Sequence, residues 1–352
     1  MVVAPLRRYE SLDLLRTGKH MLLFSVSVGR NEGRNHWCSS ESGWPNPSTV
    51  DKTAHLVFDL PMKLPGPFDI HRVIEAEGAF RPPGFLFPDA TPEVFSACKV
   101  ASDPRLYNAD TDRLVMSFHS IVVRTERNNI LVDTCVGNDK NRPALPEWHL
   151  KNGPYLKDLA ATGTPTEAID YVLCTHLHAD HVGWNTRLID GRWTPTFPNA
   201  KYIMARKEVE YWEQVRNNSD EEANHRSWDD SVQPIIDANQ AVLVDDGYEI
   251  EAGVQLVPAP GHTPGNVMLS VDNGKERAFI IGDTLHHPVQ VEHPEWSSRF
   301  CWDSAMSRKT RQKFLEIIAD SGTYVLPAHF ATPTAARIFS TAEGFDFEMV
   351  DT

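Results

Sequence analysis

The sequence predicts an α/β (α+β) protein of two β-sheets packed together with helices outside. Three observations carry this. Short apolar strand-like runs recur along the chain, hairpin-like neighbours mix with helical segments, and the strict strand–helix alternation of a purely parallel sheet is missing. Several of these runs also end on a histidine or aspartate. That pattern suits a site held along one edge of a rigid sheet.

The elements follow in order. Residues 1–55 carry Arg7, Arg8, Arg16, Lys19, Arg30, Arg34 and Lys52 against Glu10, Asp13, Glu32, Glu41 and Asp51, a net charge of +2 within a chain of net −14. The Ser-, Asn- and Gly-rich part from Asn31 onward has no period, so this stretch is expected to be a flexible or loosely attached leader. Residues 56–352 are then one domain. Residues 65–88 are rich in Pro and Gly, with Phe68, Phe80, Phe85 and Phe87 between them. They read as a loop, either packed plainly or forming an aromatic wall over a pocket. Strands are expected at 114–125 and 129–133 around a turn at 126–129. Thr164, Pro165 and Glu167 suggest a capped helix start running to about residue 170. Further strands are expected at 171–175, 202–205, 254–258, 267–271, 278–281 and 324–326, with helices at 207–215 and 308–319.

Composition narrows the function. The chain has 352 residues, enough for a large core, and is 41% hydrophobic and 23% charged. Its acidic balance disfavours nucleic acid and anionic membranes as partners. The apolar run 21–28 is too short to cross a bilayer, and no signal peptide is read. Five scattered cysteines without a CxxC pair suggest reduced thiols and a cytoplasmic protein.

The densest chemistry lies in His176-Leu177-His178-Ala179-Asp180-His181. Imidazoles and a carboxylate are the donors that zinc and similar divalent ions take. His262, Asp283 and His329 add three more candidates, each just beyond an apolar run. Seven donors exceed what one tetrahedral ion needs. Two ions fit better, one with three imidazoles and an open position, the other with two imidazoles, a carboxylate and a shared carboxylate. A bridging hydroxide would complete both.

Together these pieces resemble the metallo-β-lactamase superfamily. The matching motifs are Thr175-His176-Leu177-His178-Ala179-Asp180-His181, Gly261-His262-Thr263-Pro264-Gly265, Gly282-Asp283-Thr284 and Ala328-His329-Phe330. Asp133, after Ile130-Leu131-Val132, resembles the early carboxylate that orients the site. The likeness covers roughly residues 112–335 and implies a four-layer αββα sandwich. It implies that His176, His178 and His262 hold the first ion, that Asp180, His181 and His329 hold the second, and that Asp283 bridges. Zinc is the first expectation, and Mn, Co or Fe suit the same donors.

The resemblance also guides the substrate. True β-lactamases lack the shared aspartate. The set here is similar to those of lactonases, glyoxalase II-like thioesterases, ribonuclease Z-like nucleases and methyl parathion hydrolase-like esterases. Acyl-homoserine lactonases carry a Tyr three residues after the bridging Asp. Here that place is His286, as in the methyl parathion hydrolase-like branch, and Val289-Gln290 follows. The expectation is a dinuclear hydrolase of a neutral ester or lactone, with phosphotriesters as a further candidate. Asp180 and His286 are the expected catalytic groups. β-Lactamase and thioesterase activities are the alternatives, ahead of a nuclease or a non-catalytic binding protein. A homodimer is compatible with all of these. Trp184 and Trp193 read as packing residues, His119, His149 and His293 as ordinary polar ones, and Glu221, Glu222, Asp229 and Asp230 as a solvated acidic face.

Overall fold

In the computed structural model the described residues are 62–218 and 223–351. The expected leader at 1–55 lies outside them. Among the described residues, seventeen strands form three sheets. The first large sheet holds β1 (Met62–Leu64), β2 (Asp69–Arg81), β3 (Tyr107–Asn108), β4 (Arg113–Arg124), β5 (Asn129–Val132), β6 (Tyr171–Leu173), β9 (Lys201–Ala205) and β10 (Ala241–Val244), in the order β1-β2-β4-β5-β6-β9-β10 with β3 on β4. The second runs β11 (Glu249–Glu251), β12 (Val254–Pro258), β13 (Val267–Asp272), β14 (Arg277–Ile280), β15 (Tyr324–Leu326), β16 (Ala336–Ser340) and β17 (Phe345–Met349) in sequence order. β7 (Thr186–Ile189) and β8 (Arg192–Pro195) form a separate hairpin.

Strand periodicity builds the layers. On β5, Ile130 and Val132 point into a cluster shared with Leu173 and Ile203 and with Leu256, Leu269, Ile280 and Leu326 of the opposite sheet. Leu131 points the other way and packs with Tyr155, Leu159, Val209 and Trp212 from the outer helices. On the far side, Phe279 and Val325 meet Phe314, Leu315 and Ile318 of the helix Ser304–Ile318. Alternate residues thus bury both faces of each sheet and give the helix–sheet–sheet–helix order. Each fully buried large apolar side chain contributes about 1.5–3 kcal/mol.

β5, β6, β9 and β10 are mutually parallel, and so are β14 and β15. Their carboxyl ends, with that of β12, face one edge of the sandwich. The loops leaving this edge carry Asp133, His176, His262, Asp283 and His329. β4 joins the two sheets there through a bridge between Met116 and Phe330.

Four expectations are corrected. The Pro/Gly-rich stretch contains the 13-residue strand β2, paired antiparallel with β4 from Asp69 to Arg81 with two register shifts. Thr164 caps no helix: one 3₁₀ turn spans Thr166–Ala168, and the Thr164 hydroxyl is buried without a partner. The C-terminal helix begins at Ser304, where the Asp303 side chain accepts from Met306 N at 2.9 Å. Asp230 is buried, not solvated, and takes a two-pronged bond from Arg142 at 2.6 and 2.9 Å. Glu221 and Glu222 lie outside the described residues.

Beside Asp230 the buried Lys140 ammonium donates to Thr186 Oγ1 at 2.7 Å and to the Asp230 carbonyl at 3.1 Å, and lies 3.7 Å from the Trp193 ring centroid. Burial pulls its pKa down to about 7, against the attraction of Asp230. The unfolded lysine keeps its proton to about pH 10.4. Between these values the unfolded chain binds the extra proton, so stability rises with pH. Native protein should therefore gain about 2 kcal/mol over Lys140→Met between pH 7 and 9, read by urea unfolding. Parallel pH curves for the two proteins would refute this.

Candidate metal centre

The β6 carboxyl end delivers the first ligand segment. After Leu173 the chain crosses Cys174 and Thr175, reaches His176 and His178, and enters the single helical turn Ala179–Val182 that carries Asp180 and His181. Gly183 follows because nothing larger fits: a Cβ there would lie 1.9 Å from Val136 O. This crossing locks the segment against the loop after β5. Gly261 has φ +130°, and its Cβ would sit 2.2 Å from Ser307 N, so only glycine lets the His262 loop close onto the long C-terminal helix.

The ring nitrogens converge. His178 Nδ1 lies 3.1 Å from His176 Nε2 and 2.9 Å from His262 Nε2. Asp283 Oδ2 is 3.1 Å from His262 Nε2 and 3.8 Å from His176 Nε2. Its other oxygen, Oδ1, is 3.1 Å from His329 Nε2 and 3.4 Å from His181 Nε2. Asp180 Oδ2 completes that second group at 3.6 Å from His329 and 3.8 Å from His181. All seven sequence candidates therefore meet in two adjoining groups, with Asp283 between them.

The outward atoms are held as well. His181 Nδ1 donates to Asp133 Oδ2 at 2.8 Å, and Asp133 also accepts from Thr175 N and Oγ1 at 2.8 Å each. Asp133 adopts a left-handed backbone, φ 56°, to turn its carboxylate inward. His329 Nδ1 donates to Ser117 O on β4 at 3.0 Å. Cys301 Sγ sits 3.6 Å from His262 Nδ1.

This arrangement fits divalent ions. Lone pairs of several imidazoles face one another inside a buried space, which costs energy unless a cation shares them. His181 Nε2 and Asp283 Oδ1 are buried with no hydrogen-bond partner. Electrostatics agree. Burial pushes His176 and His178 well below the usual imidazole range. Burial acts the same way on His262, but Asp283 outweighs it and raises the group to about 9. Burial would raise Asp283, yet His329, His181, His286 and His262 hold it well below the carboxylate range.

His286 is buried against this cluster, with Nε2 3.2 Å from Asp283 Oδ2 and both ring nitrogens free of hydrogen bonds. Its backbone N donates to Gln290 Oε1 at 2.7 Å, so the Val289-Gln290 pair supports the turn. His287 instead faces Leu106 O at 2.9 Å. Trp184 stacks on Tyr155 at 5.3 Å and donates to Glu75. His119 is a buried polar residue bound to Ser117 and Pro327.

Part of the aromatic wall is real, and its inner rings come from outside the Pro/Gly-rich stretch. Phe80 packs on Phe118 at 5.0 Å, and Phe118 on His329 at 5.1 Å and Trp148 at 5.6 Å. Trp148 lies 6.3 Å from His225. Phe87 approaches His286 at 6.5 Å. Phe118, Trp148 and His225 carried no motif, and neither did Glu208 and Asn224, whose side chains bind the backbone around His178. A cavity of about 240 Å³ beside Asn141, Trp193, Arg226, Asp229 and Asp230 shares no residue with this centre. No helix among the described residues is long and apolar enough to cross a membrane.

Comparison with known proteins agrees with the geometry. An N-acyl homoserine lactonase of Bacillus sp is 24% identical over 225 residues, covering 59% of this chain and 79% of the relative. The hydrolase AbOPH, of the beta lactamase superfamily, superposes with a TM-score of 0.68 at 22% identity, covering 82% of this chain and 96% of that one. AidC, a dizinc quorum-quenching lactonase, superposes with a TM-score of 0.63 at 21% identity over 83% and 98%. These two structures are alike in fold. The family model of the metallo-beta-lactamase superfamily matches residues 118–329, more than half of the chain. With the four-layer sandwich and the converging donors, this places the chain in the metallo-beta-lactamase superfamily, as a metal-dependent hydrolase.

Proposed function

We propose that this protein is a dinuclear hydrolase of neutral esters and lactones, with zinc as its resident ion. The supporting observation is the division of Asp283, whose two oxygens face two different sets of donors. His176, His178 and His262 would hold one ion, and Asp180, His181 and His329 the other, with Asp283 shared. Two such ions would supply Lewis-acid chemistry there, lowering the pKa of a water and polarising an ester or lactone carbonyl.

The chain's own groups do the rest. Asp133 fixes the tautomer of His181 by accepting its Nδ1 proton, and Ser117 O does the same for His329. Asp180 is the most exposed carboxylate of the centre at 15%, so it is the one most open to an incoming substrate. His286 lies with Nε2 3.2 Å from Asp283 and would offer a ring N–H to a substrate or leaving-group oxygen. Phe118, backed by Trp148, lies beside His329 and Phe87 lies beside His286, and this apolar surface suits a neutral, apolar substrate. The lactonase relatives share this direction.

The test pairs elemental analysis with a panel of acyl-homoserine lactones, aryl esters, phosphotriesters, thioesters and nitrocefin. Two zinc ions per chain and preferred turnover of lactones or esters are expected. Activity should vanish with chelator and return with zinc. Preferred nitrocefin or thioester turnover, or no turnover with both ions bound, defeats the proposal. Asp133→Ala should weaken metal affinity by about 10–100-fold, measured against a chromophoric chelator. Undiminished affinity would mean that Asp133 does not support the centre.

A further inference from the structure

The backbone around His178 is gripped from two sides by residues that ligate nothing. Glu208, in the first turn of the helix Arg206–Asn218, is 1% exposed. Its Oε1 accepts from Leu177 N at 3.0 Å and from Trp212 Nε1 at 2.7 Å, and its Oε2 accepts from Gly265 N at 2.9 Å. Leu177 lies between His176 and His178, and Gly265 lies three residues beyond His262. One buried carboxylate therefore ties together two ligand loops that leave different sheets.

Asn224 completes the grip. Its Oδ1 accepts from Ala179 N at 3.0 Å, and its Nδ2 donates to Leu177 O at 2.6 Å. The backbone there is unusual: Asn224, His225 and Arg226 have φ of 49°, 53° and 64°, three successive left-handed residues none of which is glycine. Such a run persists only where the surroundings over-determine it. Here its result is to lay an amide along the peptides on both sides of His178.

The choice of side chains is informative. Every partner of Glu208 named here is an N–H donor, so both of its oxygens must accept. An amide could satisfy only one side. Asn224 must accept and donate at once, which a carboxylate cannot do. Both positions thus have an isosteric replacement that keeps the volume but loses one hydrogen bond, by setting donor against donor at Glu208 or acceptor against acceptor at Asn224.

We propose that Glu208 and Asn224 are positioning residues that set the place of His178 relative to His262, and so the affinity of the ion position formed by His176, His178 and His262. This rests on the dinuclear reading above. The hydrogen bonds described for Glu208 and Asn224 go to the backbone of Leu177, Ala179 and Gly265 and to the Trp212 indole, and none of them goes to Asp180, His181 or His329. Loss of Glu208 or Asn224 should act on one ion position and spare the other.

The experiment uses the full chain, stripped of metal and titrated with Co²⁺ against a chromophoric chelator. In a His329→Ala background the titration reports the first position; in a His262→Ala background it reports the second. Glu208→Gln and Asn224→Asp are each expected to weaken cobalt binding at the first position by about tenfold or more, and to alter its visible absorption. Binding at the second position should stay within about twofold. An unchanged first position, or an equal loss at both, overturns the proposal. If Glu208→Gln does not fold, Asn224→Asp decides by the same two comparisons. If the parent chain takes up no cobalt, the dinuclear reading itself falls and this inference falls with it. Two ions bound by the parent with unaltered variants would sink the positioning role alone.

Discussion

Replacing Asp283 by alanine is expected to lower kcat/KM by about 10³-fold or more and to cut the metal content from two ions to one or none. The reason is geometric. Asp283 Oδ2 lies among the first group of nitrogens and Oδ1 among the second, so one substitution takes a donor from both positions. Loss of a single oxyanion stabiliser in other hydrolases costs about 10²–10³-fold, and losing a shared metal ligand should cost at least as much. The sandwich should survive, because its inter-sheet core of Leu173, Ile203, Leu269, Ile280 and Leu326 does not include this residue. Metal analysis with kinetics on folded Asp283→Ala decides. Two retained ions, with activity within tenfold of the parent, would remove Asp283 from the bridging role.

Asp180→Asn should have the next largest effect, a fall in kcat of about 10²–10³-fold with KM changed much less. Asn keeps the shape but loses the negative charge and the capacity to take a proton. Among the described residues Asp180 Oδ2 pairs with His181 and His329, at 3.8 and 3.6 Å, and so the first ion position should remain filled. Steady-state kinetics at known metal content tests this. Full activity of Asp180→Asn with both ions in place would show that neither its charge nor its proton is needed.

The centre was legible in the sequence wherever chemistry was locally dense. His176 to His181 packs four donors into six residues, and His262, Asp283 and His329 each follow an apolar strand. Strand order and parallel pairing then bring these ends together, as the strand-end argument expects. The failures have equally specific causes. β2 was hidden because its outer half is partly buried on both faces, which blurs the period-2 signal, and because its conformation is imposed by pairing with β4. Thr164 offered a cap signal that the chain does not use. Asp230 looked solvated because the Arg142 that buries it stands 88 positions away. Glu208 and Asn224 sit in unremarkable polar surroundings, and their meaning comes only from where the fold places Leu177 and Ala179.

The split origin of the donors has a consequence for how the molecule matures. Asp133, His176, His178, Asp180 and His181 follow strands of one sheet, while His262, Asp283 and His329 follow strands of the other. During synthesis the earlier five emerge about 150 residues before His329 does. Until β15 docks beside β14, the second position lacks one of its two imidazoles. On the dinuclear reading the second ion would therefore be taken up only after β15 has docked, and a chain cut short before β15 should remain catalytically silent however well its leading portion folds.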